Sequence, residues 1–473
     1  MAFSSMAFLF GFLPAAALCY FVIPARWRSG RNGVLLLFSL AFYAWGGLRL
    51  APVLAWSCLV TWAAGLLLAP GRRCRRAVFW AAAALNLLPL LYFKYTGFLL
   101  GSLNTLGLEL AVPSILLPAG ISFFTFQSVS YLADVYRGTV PPERRLSRLA
   151  LYTAFFPQLL QGPIVRYGDF GPLLAERRET VPEISAGAVR FCFGLAKKVL
   201  LADALGTAAN AAFSAGDRLT VGLAWIGSAA YTLQLYFDFS GYTDMALGLG
   251  RVFGLPLPEN FDYPYIARSA GEFWRRWHIT LSRWFRDYVY IPLVGNRCSR
   301  GRHLLNLLAV WVLTGLWHGA AWTFVLWGLY YAALLMGEKY LWGAALERMP
   351  APLRHVYALL LINFGWVLFR AGSLGQAGAV ISAMLGVAPG GLWSGEAEYY
   401  LRQYAWEWVI AIPAALPVRV WICQSLERRR EGGSRVSAAA LAFGPKVLAL
   451  VLLGLSAVRL LSSTFRSFLY FQF

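Results

Sequence analysis

Apolar stretches of about 20 residues recur along the whole chain, with short polar breaks between them. A stretch of that length can cross the hydrocarbon core of a bilayer as one helix. The pattern therefore predicts an all-α, polytopic integral membrane protein with about 11 transmembrane helices plus re-entrant or interfacial helices. The expected spans lie near residues 7–23, 33–50, 51–69, 77–100, 115–134, 185–203, 222–247, 304–336, 355–371, 374–388, 406–424 and 445–463.

Two segments depart from this pattern. The run from Phe155 to Pro163 is too short, and too interrupted by proline and glycine, to cross a membrane. It is expected to be re-entrant or partly buried, because irregular backbone at that depth must be shielded by protein or line a cavity. Residues 304–336 hold roughly 33 largely apolar positions, too many for one upright helix and too few for two. They predict one tilted or broken helix with His318 near its middle.

Composition and charge agree with a membrane protein. Apolar residues make up 59% of the chain and charged residues 14%, whereas soluble globular chains have roughly 45–50% and about 25%. The 42 Lys and Arg against 22 Asp and Glu give a net charge of +20, but the basic residues lie between apolar segments, where they set membrane orientation. No nucleic-acid partner is expected. The longest polar stretch, 251–303, is expected to be a cytoplasmic interfacial region of a single domain covering residues 1–473.

Among four histidines, His318 has the most unusual setting. It follows Trp317 in a stretch with no charged residue from Leu304 to Gly337. An ionisable side chain inside such a segment is a functional-site hypothesis by default. Burial disfavours the imidazolium ion, so the ring is expected to be neutral at pH 7 and able to accept a proton. A hydrogen-bonded core histidine is the alternative.

His278 lies in a different setting, between Glu272 and Asp287. That segment alternates tryptophans and arginines and resembles an amphipathic helix at the cytoplasmic interface. Its arginines suit anionic lipid, or the phosphates of an acyl-CoA or of a carrier-protein phosphopantetheine. The sequence does not separate lipid from cofactor. These arginines are Arg275, Arg276, Arg283 and Arg286.

Other candidate chemistry is weaker. Asp238 and Asp244 are six residues apart and do not share a helical face, which favours a helix-end or orienting role over a paired acid–base site. His303 and His355 are expected to be interfacial residues. No metal site is expected, and the six cysteines have no C-x-x-C spacing.

Several blocks of the chain resemble the membrane-bound O-acyltransferase family. The likeness is strongest to the bacterial branch of alginate O-acetyltransferase membrane subunits and more distant to D-alanyl-teichoic-acid transferases. The blocks are Phe155 to Arg166, Tyr236 to Met245, Pro258 to Tyr265, Phe273 to Arg297, Gly315 to Trp327 and the ending Phe468 to Phe473.

The resemblance implies a ring of helices around a central tunnel that joins the two membrane faces. It also implies that His318 is the catalytic histidine and that His278 is a catalytic partner or lines the tunnel. Together with the residue patterns, it leads us to expect that substrate or donor binding involves a further set. That set is Arg275, Arg276, Arg283, Asn260, Asp238 and Trp317.

The implied reaction moves an acetyl group from a cytoplasmic thioester to a hydroxyl, for O-acetylation of an exported or cell-wall polysaccharide. Acetyl-CoA or another acyl thioester, including one on a carrier protein, is the expected co-substrate, with no bound cofactor. The expected partners are a separate extracytoplasmic SGNH-like acetyltransferase, the polysaccharide and membrane lipid, and the expected location is the bacterial inner membrane. The alternatives are D-alanyl transfer to teichoic acid, a secondary transporter or polysaccharide permease, and a scaffold of a secretion complex. A transporter would usually show repeat halves, and the chain shows no internal repeat.

Overall fold

Helices form every regular element in the computed structural model, which describes residues 2–462. No strand occurs within that range, so the all-α prediction is confirmed. The run Phe468–Phe473, which contributes to the resemblance, lies outside the described residues. The chain separates into two compact units. Of the described residues, the first unit holds those up to Phe191 together with Met245–Pro258, and the second holds Cys192–Asp244 and those from Glu259 to Ser462.

The first unit begins with a π-helical turn at Phe8–Phe12 that runs directly into the first α-helix. Its α-helices are α1 (Leu13–Val22), α2 (Arg28–Trp45), α3 (Ala51–Leu67), α4 (Arg75–Asn104), α5 (Ile121–Arg137), α6 (Leu146–Ala154), α7 (Phe156–Leu159), α8 (Tyr167–Ala175) and α9 (Val181–Ala196), whose last residues belong to the second unit.

The segment predicted to be re-entrant is buried and irregular. Between α6 and α8, the short α7 forms the only helical turn. The backbone N–H of Phe156 donates to the Ser39 hydroxyl at 3.1 Å, and the Gln158 side-chain amide donates to the Tyr152 carbonyl at 2.6 Å. These contacts supply the protein shielding that irregular backbone needs away from water.

Four described helices are long and apolar enough to cross a membrane: Leu48–Leu67, Arg75–Asn104, Ala351–Arg370 and Arg435–Ser462. A fifth candidate is the pair Ala405–Ala414 and Val418–Glu431, which is bent by 62° at its break. These coincide with predicted spans near 51–69, 77–100, 355–371, 445–463 and 406–424. The predicted total of about 11 spans is not confirmed by length and composition.

The second unit contains a π-helical segment at Lys197–Ala202 and a second one at Arg286–Tyr290. Its α-helices are α10 (Asp203–Phe213), α11 (Val221–Val252, which ends in the first unit), α12 (Ala270–Arg276), α13 (Ile279–Phe285), α14 (Arg300–His318), α15 (Trp322–Tyr340), α16 (Gly343–Arg348), α17 (Ala351–Arg370), α18 (Leu374–Met384), α19 (Gly395–Gln403), α20 (Ala405–Ala414), α21 (Val418–Glu431) and α22 (Arg435–Ser462).

Residues 304–336 form parts of two helices, α14 and α15, which pack as an antiparallel hairpin. Near its base, the Tyr340 hydroxyl lies 2.7 Å from Nδ1 of His303, and further along the Trp311 and Trp327 rings are 6.2 Å apart. The sequence left a tilted or a broken helix open; the run is broken after His318, and the prediction of a single helix was wrong. Each helix has 19 residues, about 28 Å at 1.5 Å per residue, because α14 extends into its polar flank at Arg300 and α15 extends to Tyr340.

Helix α17 packs antiparallel to α15. The Phe324 and Phe369 rings are 5.0 Å apart, and at the other end the Trp342 indole N–H donates to the Tyr357 hydroxyl at 2.9 Å. The tip of the α14–α15 hairpin and the carboxyl end of α17 therefore lie together. The N-terminus of α14, which carries Arg300 and Arg302, lies at the opposite end of this three-helix layer.

The hairpin depends on a close approach at Gly315. A Cβ atom there would lie 2.3 Å from the Phe324 carbonyl oxygen, so even alanine requires the two backbones to separate. We expect Gly315→Ala to lower the stability of the protein by about 1–3 kcal/mol, the usual cost of overpacking. The matched control is Gly301→Ala in the same helix, where no atom lies within 4 Å of the added methyl group. Thermal unfolding of both detergent-solubilised variants measures the difference, and equal transition temperatures would contradict the close packing.

Candidate active site

His318 is the last residue of α14 and is 4% exposed. Its ring contacts three aromatic rings, with centroid distances of 5.0 Å to Trp317, 5.1 Å to Trp327 and 5.2 Å to Phe369. The next residue, Gly319, lies against the Phe324 ring so closely that a Cβ atom would come within 2.1 Å of it. The tight turn after the helix therefore holds the imidazole at the hairpin tip.

His278 lies between α12 and α13, not within one helix. Its φ of +45° is in the left-handed region, which is uncommon for a residue other than glycine. The prediction of a continuous amphipathic helix from 272 to 287 was therefore wrong. Phe273, Trp277 and Leu281 are spaced four residues apart and are all buried. This apolar spacing continues across the break, which is why the sequence pattern predicted one helix. Strained backbone of this kind clusters at functional sites.

The His278 ring is fully buried. Burial lowers the pKa of this imidazole to about 3, so the ring is neutral at pH 7. The edge-to-face contact with Phe239 has a centroid distance of 4.7 Å, and the contact with Trp317 a distance of 5.9 Å. Nδ1 lies 3.2 Å from Oδ1 of Asn260.

Trp317 brings the two histidines together. Its indole is 5% exposed and contacts both the His278 ring and the His318 ring. The two histidines are 40 residues apart in sequence, and the loop at His278 and the hairpin tip at His318 supply one each. Two buried imidazoles around a shared indole form a site that can accept and return protons in a low-dielectric environment.

An aromatic cluster continues from His318 towards α12. Trp327 contacts Trp274 at 5.5 Å and Trp366 at 6.3 Å, and Trp366 contacts Trp277 at 4.9 Å. These indoles place α12, α15 and α17 in contact.

Asn260 lies in the loop before α12 and is fully buried. Its Oδ1 accepts hydrogen bonds from the backbone N–H of Thr280 at 3.1 Å and from the Thr280 hydroxyl at 2.9 Å. The Asn260 carbonyl also accepts from the backbone N–H of Ile279 at 3.0 Å. The loop is thus tied to the strained turn at His278.

The predicted donor-binding arginines differ in their partners. Arg276 is held by Asp262 at 2.8 Å and by Glu272 at 3.1 Å. Arg275 and Arg283 are exposed, and neither forms an ion pair within residues 2–462. These two guanidinium groups, rather than Arg276, are available to an anionic ligand.

Asp238 lies in the middle of α11, so of the two predicted roles the helix-end position was wrong, and the orienting role stays a prediction. Its carboxylate is 1% exposed and accepts from the Lys198 ammonium group at 2.6 Å. Lys198 also pairs with Asp203 at 2.8 Å, and Lys197 pairs with Asp244 at 2.6 Å. Both aspartates singled out in the sequence are therefore ion-pair partners of two consecutive lysines.

Sequence reasoning missed several residues of this region. Lys198 could have been found, because a lysine inside the predicted span 185–203 is itself a sign of a buried partner. Phe369 gives no signal in the sequence, since it is one of many aromatic residues in an apolar helix.

The other two histidines lie outside this arrangement. His303 is 2% exposed and lies between the hydroxyls of Tyr290 and Tyr340, each at 2.7 Å. Nδ1 of His355 lies 3.2 Å from the Ala267 carbonyl oxygen. Within the described part of the chain, no group of three or more His, Cys, Asp or Glu side chains is arranged to hold a metal ion.

Comparisons with known proteins match the chain to one family and its relatives. The model of the membrane-bound O-acyltransferase family matches residues 145–373, a range that includes every candidate site residue. The chain is 44% identical over 392 residues to a probable alginate O-acetylase of Azotobacter vinelandii, covering 81% of this chain and 78% of that protein. It is 36% identical over 420 residues to a peptidoglycan O-acetyltransferase of Helicobacter pylori, covering 81% and 80%. It is 30% identical over 267 residues to a teichoic acid D-alanyltransferase of Bacillus subtilis, covering 53% and 66%.

Proposed function

Because the chain belongs to the membrane-bound O-acyltransferase family and is an acyltransferase, we propose that it transfers an acetyl group to a hydroxyl for O-acetylation of an exported or cell-wall polysaccharide. The relatives with the longest alignments quoted above act on alginate and on peptidoglycan, and both are O-acetylating enzymes by name. The observation that supports the chemistry best is the contact of Trp317 with both buried histidines.

In the proposed reaction, the acceptor hydroxyl oxygen attacks the carbonyl carbon of an acetyl thioester. His318 takes the hydroxyl proton as the C–O bond forms, and the tetrahedral intermediate then expels the thiolate. The imidazolium returns the proton to the leaving sulfur, so the products are an acetyl ester and a free thiol. His278 holds the carbonyl or the thiol end of the donor. The indoles around His318 exclude water, which would otherwise hydrolyse the thioester.

We place the donor at the arginine-bearing end of this site. Trp274 and Trp277 of the aromatic cluster lie on either side of Arg275 in the chain. A thioester arm that extends along the indoles from His318 would therefore end near the exposed Arg275 guanidinium group. The phosphates of acetyl-CoA or of a phosphopantetheine on a carrier protein suit such groups. No bound cofactor or metal takes part in this scheme.

Replacing both Arg275 and Arg283 by glutamine should raise the apparent KM for the thioester donor by about tenfold or more, because each lost charge-assisted hydrogen bond is worth about 1.5–3 kcal/mol. The effect should diminish at high salt, which screens exposed charges. Arg276→Gln is the matched control, since its guanidinium is already paired with Asp262 and Glu272. A larger rise in KM for the control than for the double variant would reject this assignment.

For the membrane arrangement, we propose about 11 spans around a central tunnel in the bacterial inner membrane. Residues 251–303 would lie on the cytoplasmic side of a single domain of residues 1–473. Helices such as α5, α11 and α14 bury polar residues, including Gln127, Asp238 and Asn306. A helix whose polar groups face protein can cross a membrane without being apolar all round, so more helices can span than the apolar criterion selects.

The acetyl group would leave on the extracytoplasmic side through a separate SGNH-like partner, which passes it to the polysaccharide. Membrane lipid surrounds the spans, and nucleic acid has no part. D-alanyl transfer to teichoic acid is the second candidate, and the shorter alignment and lower identity to that branch make it the weaker one. A secondary transporter, a polysaccharide permease or a scaffold has no counterpart among the relatives compared.

The function is tested by acetate released with mild base from the surface glycan of strains with and without the gene, and by D-alanine released in the same treatment. We expect acetate to fall and D-alanine to stay constant when the gene is deleted. A fall in D-alanine alone would favour the teichoic acid reaction, and no change in either would reject the proposal.

A further inference from the structure

The orientation of the Asn260 amide is determined by its neighbours. The backbone N–H of Thr280 lies 3.1 Å from one end of this amide. A backbone N–H is only a donor, so the atom facing it must be the carbonyl oxygen Oδ1 and not the NH2 group. Exchanging the two ends of the amide would place two donors against each other.

That orientation determines which nitrogen of His278 carries the proton. Oδ1 has no hydrogen to give, and it lies 3.2 Å from Nδ1 of His278. Nδ1 must therefore be the N–H group, since two lone pairs facing each other would repel. Because the buried ring is neutral, only one nitrogen is protonated, and Nε2 carries the lone pair.

The Asn260 amide uses its oxygen for these hydrogen bonds and leaves its nitrogen without one. The NH2 group of Asn260 is buried and has no hydrogen-bond partner within residues 2–462. An unsatisfied buried donor costs about 1–3 kcal/mol, so a purely structural asparagine would be placed to satisfy both ends. Here three donors from Thr280 and His278 converge on Oδ1. The left-handed φ of His278 is a second strained feature at the same point.

We propose that Asn260 is a positioning residue that holds His278 as the Nδ1–H tautomer, with Nε2 as the nitrogen that meets the substrates. This rests on the proposed acyl transfer for its functional meaning. It also selects between the two roles left open for His278: a ring with a lone pair on Nε2 accepts a hydrogen bond from a hydroxyl or thiol. It does not donate one to the thioester carbonyl. Asn260 itself is then not a donor-binding residue.

The tautomer is measured by 15N NMR of the membrane protein with labelled histidine rings, with His278→Gln used to assign the signal. We expect a protonated Nδ1 and an unprotonated Nε2 in the resting protein. An Nε2–H tautomer would overturn the proposal. This measurement needs no turnover, so it decides the point even if the chain proves not to acetylate any acceptor.

Three variants test the functional consequence. Asn260→Leu removes the acceptor that orients His278 and should lower kcat per folded molecule by about tenfold, because one orienting hydrogen bond is worth about 0.5–1.5 kcal/mol, with little change in the KM for donor. Asn260→Asp keeps an acceptor oxygen and should restore most of kcat. Its carboxylate favours the imidazolium, so the acid limb of the pH–rate profile should move to higher pH. Ser282→Ala is the control, with activity close to that of the parent, because the Ser282 hydroxyl donates to the Trp274 backbone carbonyl at 3.3 Å and not to Asn260.

Two outcomes would reject the functional part. One is an unchanged kcat per folded molecule for Asn260→Leu, which would make Asn260 a structural residue. The other is an equally lowered kcat and the same pH profile for the aspartate and leucine variants, since an acceptor oxygen would then be irrelevant.

Discussion

Replacing His318 by alanine should lower acetyl transfer to the surface glycan by at least about a hundredfold, because a positioned general base typically contributes 10²–10⁴-fold. The substitution removes the only ring of the hairpin tip that can take the acceptor proton, while the enclosing Trp317, Trp327 and Phe369 remain. Acetate released by mild base from matched strains measures the effect.

The interpretation requires equal amounts of protein in the membrane. His355→Ala is the matched control, because that histidine contacts the Ala267 carbonyl and lies apart from the indoles around His318. Unchanged acetate in the His318 variant would exclude this residue as the base. That result would instead support the alternative in which the chain is a scaffold that only organises a secretion complex.

Replacing Lys198 by methionine should produce the largest loss of stability, about 3–5 kcal/mol, which is typical of a buried ion pair that loses one partner. The change leaves the Asp238 carboxylate, 1% exposed, without its counter-ion. We expect a lower thermal transition in detergent and less protein in the membrane. The double variant Lys198→Met with Asp238→Asn should recover part of the loss, because no buried charge is then left at Asp238.

Lys197 provides the matched control for this prediction. It also bonds an aspartate at 2.6 Å, but its side chain is 25% exposed and that of Asp244 is 16% exposed. Water can therefore solvate the carboxylate that Lys197→Met leaves behind, and the loss of stability should be clearly smaller. Equal losses for the two lysine variants would show that burial of the Lys198 pair is not the cause.

The sequence pattern predicted the helical class and many of the elements, because apolar stretches of membrane length are a strong signal. It also singled out His318, since a histidine in an uncharged stretch stands out. The break at His278 could not be predicted. The buried Phe273, Trp277 and Leu281 keep helical spacing through it, and a left-handed residue other than glycine has no signature in the pattern.

Contacts between distant segments were equally inaccessible. The Lys198–Asp238 pair joins residues 40 positions apart, and the packing of Phe369 on His318 joins α17 to α14. The hairpin was not predicted for another reason. Each of its two helices includes polar residues that flank the apolar run, so the number of apolar positions underestimates the length of the helices. Such contacts depend on which helix surfaces pack together in three dimensions, and this packing cannot be predicted from a single sequence.

The α14–α15 hairpin also bears on how the protein enters the bilayer during synthesis. Neither helix is among the described helices apolar enough to cross a membrane alone, yet they cover each other along their length. Polar groups such as Asn306 and Thr314 are buried, which makes insertion of the two helices as a pair less costly than insertion of either one first. His318, at the tip of the hairpin, would then reach its depth only when both helices have left the ribosome. Variants that weaken the Gly315 contact should therefore accumulate in the membrane in smaller amounts than the parent protein, so their activity has to be expressed per folded molecule.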